Sequence, residues 1–504
     1  MVEFRFRLTY RESYLMPSAA NLSGSSKQLV FFRSYSMENM FKRSVLSAVV
    51  VGIMAGSALT VATPVQASGF FEDSTINGAV NIFMRDRTRA SFNAETGKEG
   101  PKTANLDHGS IFTNLGFNSG YAGDVVGLDL NVYATFDMWQ NSSPDHEFNF
   151  WNVESPYGDA TPSKGDCLNN KNEDDSESKW SASCNDNGIS YQTVAAKFKL
   201  GEDGTAKLGY FQPSVPSAMG VNWSYAAGTY LGGEAGYKFG NLDLGAVYAT
   251  RYKAPWFKDT YEFQTTNGED AGDAYSFGGR YTLASGLLFD AAYAGMTDGD
   301  RKNAHFKVNN TLESGLYLSG QVYMVDDDEQ YDSTAYQFAF MSAKSFGAYS
   351  VRAEATYTVA DAEGEGSMGN FAYRLTSQYG GSNGTYDVWW NNRSDFNHDG
   401  ELALFGSLSR DFADLGATGL SAGLSAAMGV ASSDVAGLDD LSEYAGSVFV
   451  NYVIQNGALE GANVGFHYTE FVNDTKTDNW TGWTNLFQDE SDIKVSLTIP
   501  YSIK

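Results

Sequence analysis

Cysteine is almost missing from this chain, with two among 504 residues. That excludes a disulfide-dense secreted scaffold, and two Cys with five scattered His give no ligand spacing for a zinc site. Basic charge is also short: 34 Lys and Arg face 61 Asp and Glu, for a net charge of -27. A nucleic-acid backbone needs a basic footprint, so nucleic acid is excluded as a partner. Proline is scarce at 10, against 53 Gly and 14% aromatics, a balance that suits tight turns and aromatic girdles better than helices. Past residue 67 no apolar run is long enough for a spanning helix. A mean hydropathy of -0.32 does not exclude a membrane barrel, because only alternate strand residues of a barrel face lipid.

What the chain has instead is a period of two. In residues 492–504, Ile493, Val495, Leu497, Ile499, Tyr501 and Ile503 alternate with Lys494, Ser496, Thr498, Pro500 and Ser502. Such alternation puts the apolar side chains on one face of a strand and the polar ones on the other. A last strand of this kind can close a barrel by pairing with the first, leaving no unsatisfied edge in lipid. The first strand has the same pattern, with Ile76, Gly78, Val80, Ile82 and Met84 opposite Asn77, Asn81, Phe83, Arg85 and Arg87.

Residues 1–39 look unlike anything that follows. Met40-Phe41-Lys42-Arg43, an apolar stretch over 45–62 and Val65-Gln66-Ala67 then have the make-up of a secretory signal peptide cut after Ala67. We therefore expect 1–39 to be a non-native upstream extension, 40–67 a leader and 68–504 one exported barrel domain. Loss of 1–67 takes away seven Lys and Arg and three Asp and Glu, so the mature net charge is -31.

Short turns at Ser119-Gly120-Tyr121-Ala122-Gly123-Asp124, Gly201-Glu202-Asp203-Gly204, Phe239-Gly240-Asn241, Phe346-Gly347 and Gln455-Asn456-Gly457 alternate with long polar loops such as 255–271, 326–333 and 472–490. Short turns on one side and long loops on the other belong to a transmembrane antiparallel β-barrel, all-β, with short periplasmic turns and long extracellular loops. Taken literally the pattern gives about twenty strands, the doubtful pair being 372–378 and 386–390. Cys167 and Cys184 share the polar run 140–188, where a loop-stapling disulfide is favoured over two free thiols.

Asn383-Gly384-Thr385-Tyr386-Asp387-Val388-Trp389-Trp390-Asn391-Asn392-Arg393-Ser394-Asp395-Phe396-Asn397 resembles a signature of the chitoporin branch of the OprD family of substrate-specific outer-membrane porins. So do 69–87, Asn222-Trp223-Ser224-Tyr225 through Gly228-Thr229-Tyr230, and Tyr252-Lys253-Ala254-Pro255-Trp256. The resemblance implies an 18-stranded barrel with 372–391 in a long loop, and a chain that behaves as a monomer, as many of the family do, although other porins are trimers. There are two departures. Carboxylate-selective members carry an arginine in the loop that narrows the pore, where 219–228 has neither Arg nor Lys. Such barrels end in an aromatic, where this chain ends in Lys504 with Tyr501 the nearest substitute.

The expected function is passive, selective uptake of chitooligosaccharides, with no cofactor. Partners are outer-membrane lipid, small soluble oligosaccharides and the barrel-assembly machinery. Apolar sugar faces can lie on Trp223, Tyr225, Trp256, Trp389 and Trp390, and sugar hydroxyl and amide groups can bond Asn391, Asn392, Arg393 and Asp395. The alternative for these aromatics is a girdle at the membrane boundary. Since adjacent residues of an extended segment face opposite ways, one of Trp389 and Trp390 is expected to touch solute. Arg85, Arg87, Arg89, Lys197, Lys199 and Lys207 on polar faces make either a basic lumen track or ordinary lumen charge paired with Asp. A basic track would suit small carboxylates or amino acids. Asp395 to Gly400 opens like a calcium loop, but Gly406 stands where the twelfth-position acid belongs, and a turn is the better reading. A barrel lipase would need a Ser–His pair oriented by a third group, which nothing here assembles. A surface adhesin using the long loops stays open.

Overall fold

A computed structural model describes residues 69–93, 98–140, 187–220, 225, 227–255, 257–258, 260–364, 368–375, 385–475 and 488–503. The upstream extension, the leader, Cys167, Cys184, Trp223, Trp256 and Lys504 lie outside the described residues.

The described chain forms eighteen strands. They are β1 (Thr75–Asn93), β2 (Lys98–Asn118), β3 (Val126–Gln140), β4 (Gly188–Leu200), β5 (Gly204–Phe211) and β6 (Thr229–Phe239). Next come β7 (Leu242–Lys253), β8 (Ala274–Thr282), β9 (Leu288–Met296), β10 (Lys302–Thr311), β11 (Tyr317–Asp326) and β12 (Ala335–Phe346). The last six are β13 (Tyr349–Val359), β14 (Leu402–Asp411), β15 (Leu420–Ala431), β16 (Leu441–Val453), β17 (Asn463–Asn473) and β18 (Glu490–Ser502). Each pairs antiparallel with the next, and β18 returns to β1 in a register running from Asn77 opposite Ser502 to Arg89 opposite Glu490. The sheet is closed.

The connections alternate in length as the sequence implies. Gly240 and Gly347 turn two of the short ones at φ values of 60° and 57°, a region a side chain disfavours. At the other end lie the connections 212–228, 254–273 and 360–401. Along β12, Phe338 and Phe340 stand exposed while Gln337 and Ala339, alternating with them, are buried. Phe277, Phe306, Leu404, Leu424 and Val448 are exposed in the same way on their own strands. An apolar belt around a whole sheet is lipid-facing surface, since a water-soluble chain rarely exposes so large a patch. Exposed Phe239, Tyr281, Phe346 and Tyr349 sit where strands meet the short turns, the position of an aromatic girdle. Among the described residues no helix is long and apolar enough to cross a membrane; the crossing is made by strands.

The count corrects the literal reading of about twenty strands, and eighteen is the number the family resemblance implied. Residues 372–375 and 385–390 form no strand. Their backbone bonds to side chains instead of to a ladder, as Asp387 N–H does to the Tyr323 hydroxyl of the wall and Ala372 N–H to that of Tyr331 in the connection after β11. The stretch still alternates, because an extended segment laid on a wall buries every other residue: Val388 and Trp390 are covered, Asp387 and Trp389 exposed. Period two reports one covered face, whatever covers it.

The closing seam carries a buried ion pair. Arg85 on β1 donates from Nε and Nη2 to the two oxygens of Asp492 on β18, at 2.9 and 2.7 Å, and both side chains are nearly fully covered. Asp492→Ala should lower stability by about 3–5 kcal/mol, because it takes a bidentate carboxylate away from a buried guanidinium. Removing both partners should cost less than removing Asp492 alone. The midpoint of urea unfolding in detergent measures both.

Candidate permeation site

Two long-loop connections fold back into the barrel and line its passage. The first follows β5, over residues 212–220. Its Ser214 donates from backbone N and Oγ to Glu234 of β6, at 2.7 and 2.5 Å. Ala218 N–H donates to Ser276 Oγ of β8 at 2.8 Å. The wall under it is cut away: a Cβ at Gly245 or Gly278 would stand 2.3 or 2.5 Å from the Pro216 carbonyl oxygen. These glycines serve close approach of one backbone to another.

The second is 385–401, and it runs along the wall from β10 to β18. Thr385 Oγ1 donates to the Ser217 carbonyl at 3.3 Å, so the two connections meet. Lys307 pairs with Asp387 at 2.7 Å, and Tyr386 donates to Gln337. Trp390 Nε1 donates to Glu354 at 2.8 Å, Lys494 to Asn391 Oδ1 at 2.8 Å, and Arg393 to Glu490. Asn391, Arg393 and Phe396 hold φ values of 57°, 80° and 50°. Non-glycine residues enter that region at a cost, and they stay there only where the surroundings over-determine them. Here the side-chain bonds to four strands do so. Burial pushes the Tyr373 and Tyr386 hydroxyls well up, which keeps them neutral donors.

Beneath this segment lies a cavity of about 370 Å³ lined by Phe83, Arg352, Trp390, Asn391, Phe405, Lys494 and, farther along, His467, Asn451 and several serines. Its surface offers aromatic faces, amides, hydroxyls and two cations. Trp390 is 6% exposed and stacks on Phe405 with centroids 5.3 Å apart and planes 10° from parallel, while Trp389 is 56% exposed. The pair thus divides into one ring against the wall and one in open water, in line with the alternation of an extended segment. Tyr225 stacks on Phe112 at 6.0 Å and meets Phe83 edge-on at 6.2 Å. Asp395 is exposed.

Asn392 needs correction as a solute contact. It is 1% exposed, and its Oδ1 accepts from Ser425 and Ser447 at 3.2 and 2.7 Å. It fastens the segment to β15 and β16. The sequence pattern placed it beside Asn391 without showing that the left-handed turn there swings it outward to the wall.

The six basic residues fall in two places. Arg85 pairs with Asp492 and Arg89 with Glu490, while Arg87 donates to Asn105 at 2.6 Å. With Arg393 and Lys494 they gather five cations around two carboxylates. Lys197 pairs with Asp129 at 2.7 Å, Lys199 with Asp124 and Lys207 with Glu234 at 3.6 Å, all toward the short turns. Arg352, Phe405 and Lys494 escaped the sequence reading. The signal was present at Phe405, an aromatic on the inward parity of a strand whose Leu402 and Leu404 point out.

Comparison with known proteins agrees with this architecture. Residues 68–487 match the family described as outer membrane porin, OprD family. The chain is 32% identical over 495 residues to the chitoporin of Escherichia coli (strain K12), a match that spans 92% of this chain and 98% of that protein. Among solved structures, Pseudomonas aeruginosa OpdK with vanillate is 16% identical, with a TM-score of 0.62 over 86% of this chain and 100% of the other. Pseudomonas aeruginosa OccK9 (OpdG) is 16% identical, with a TM-score of 0.63 over the same shares. At that identity the structures speak for the fold, while the family match covers most of the sequence: this chain belongs to the OprD family of outer membrane porins.

Proposed function

We propose that this outer-membrane channel takes up chitooligosaccharides passively, and that 385–393 forms its selective lining. As a member of a porin family the chain is a channel and not an enzyme. The observation that carries the substrate is the pairing of an exposed Trp389 with a cavity whose wall supplies Trp390, Phe405, Asn391 and Asn451. The apolar face of a pyranose stacks on an indole, and an acetamido group finds both donor and acceptor in an asparagine side chain. Arg85, Arg89, Lys197, Lys307 and Arg393 each face a carboxylate, so a neutral solute passes them without having to replace a counter-ion. The 32% identity to a chitoporin supports the same cargo. The leader over 40–67 belongs to this reading, and the N-terminal residue of the mature protein tests it.

A second reading rests on Arg352 and Lys494, the two cations at the cavity wall. They suit a small carboxylate, which a guanidinium or ammonium holds by charge-assisted hydrogen bonds.

In planar bilayers, Trp389→Ala should weaken chitooligosaccharide block of single-channel current roughly tenfold, about 1.4 kcal/mol. Lys494→Gln should leave that block within about twofold and reduce block by benzoate. If instead benzoate blocks strongly, the sugar does not, and Lys494→Gln removes the effect, the carboxylate reading replaces the sugar one.

A further inference from the structure

We propose that the loop carrying the lining is locked to the barrel wall by a zinc-type divalent cation held by His398, Glu401 and Glu443. His398 and Glu401 end the connection into β14, and Glu443 stands near the long-loop end of β16. All three side chains are fully buried. Nδ1 of His398 lies 3.0 Å from Glu401 Oε2 and 3.7 Å from Glu443 Oε1, and one donor atom from each residue falls within 4.8 Å of the others. Zinc bonds of about 2.0–2.2 Å to nitrogen and carboxylate oxygen put tetrahedral ligands roughly 3.3 Å apart, so the two distances from His398 need only small adjustment. Ser394 Oγ donates to Glu443 Oε1 at 2.7 Å and orients that carboxylate.

Charge and hydrogen bonding point the same way. Glu401 Oε1 and Glu443 Oε2 are buried and accept no hydrogen bond among the described residues. The ion pairs of both carboxylates among those residues run to His398 alone. Two carboxylates in one covered pocket repel, and a single imidazolium or a proton shared between the two offsets one of them. A divalent cation offsets both. The wall is cut away at this place too: a Cβ on Gly429 of β15 would stand 1.7 Å from Glu401 Oε1. An imidazole among three ligands selects a zinc-type ion over calcium, which takes six to eight oxygens.

Of the three, only His398 falls inside the calcium-like stretch, and at a position that supplies no ligand to such a loop. Asp395 is exposed, and Asp399 accepts from the backbone of Ala360 at 2.6 Å. The cation would join 394–401 to β16 just beyond Arg393, fixing the far end of the segment that presents Trp389 whichever solute passes.

The test uses the full barrel purified in detergent, stripped with a chelator, loaded with zinc chloride and passed over a chelating resin. The retained metal is then measured by mass spectrometry. We expect one equivalent in the native protein and in Asp439→Asn, a surface-loop control, and at least tenfold less in Glu443→Gln. Zinc should raise the unfolding temperature of the native protein and leave that of Glu443→Gln unchanged. No retained zinc, or equal retention in Glu443→Gln, would overturn the site. Should Glu443→Gln fail to fold, X-ray absorption on the zinc-loaded native protein decides: an imidazole with carboxylate oxygens supports the site, and a shell of oxygen alone overturns it.

Discussion

Everything in this protein depends on one constraint: in hydrocarbon, no backbone amide can be left without a partner. A sheet meets it only by closing, and β18 against β1 is where this one closes. The seam is fastened twice. The ladder satisfies the backbone, and Arg85 with Asp492 satisfies two charges that would otherwise lie buried beside it. On the lipid face, Gly78 stands opposite Tyr501, close enough that a Cβ there would lie 2.5 Å from the tyrosine hydroxyl. The ring covers the backbone that glycine exposes. With the sheet closed, each strand has one face to lipid and one to the lumen.

An 18-stranded barrel is too wide for its wall residues to fill, so selectivity has to come from what is folded into it. Among the described residues the filling is 212–220 and 385–401, packed around a lumen core that includes Met219, Tyr230, Tyr323, Phe371, Tyr373 and Trp390. The loops are held by polar bonds to individual wall side chains and not by a ladder, which lets one face of the segment stay wet. Fixed this way, the backbone that carries Trp389 has little freedom left to lose, and pre-organisation of that kind would favour binding at the proposed lining.

The barrel was readable from sequence because lipid on one face and water on the other impose a strict alternation, and Ile493 to Ile503 show it without a break. Eighteen strands were not readable from alternation, since 386–390 alternates for a different reason, being pressed on a wall. The lining was legible in part. Trp389 and Trp390 stood out as a pair, and an extended backbone separates them as expected. Asn392 and Arg393 did not reveal their roles, because a left-handed backbone at Asn391 and Arg393 redirects them. Nor did Arg352, Phe405 and Lys494, which reach the cavity only through the pairing of distant strands. His398, Glu401 and Glu443 meet for the same reason.

Liposome swelling tests the account most directly, with chitooligosaccharides set against maltooligosaccharides of the same length. The aromatic and amide lining predicts faster entry of the chitooligosaccharide at equal size. Equal rates for the two series would contradict it, and would leave a sieve in place of a selective channel.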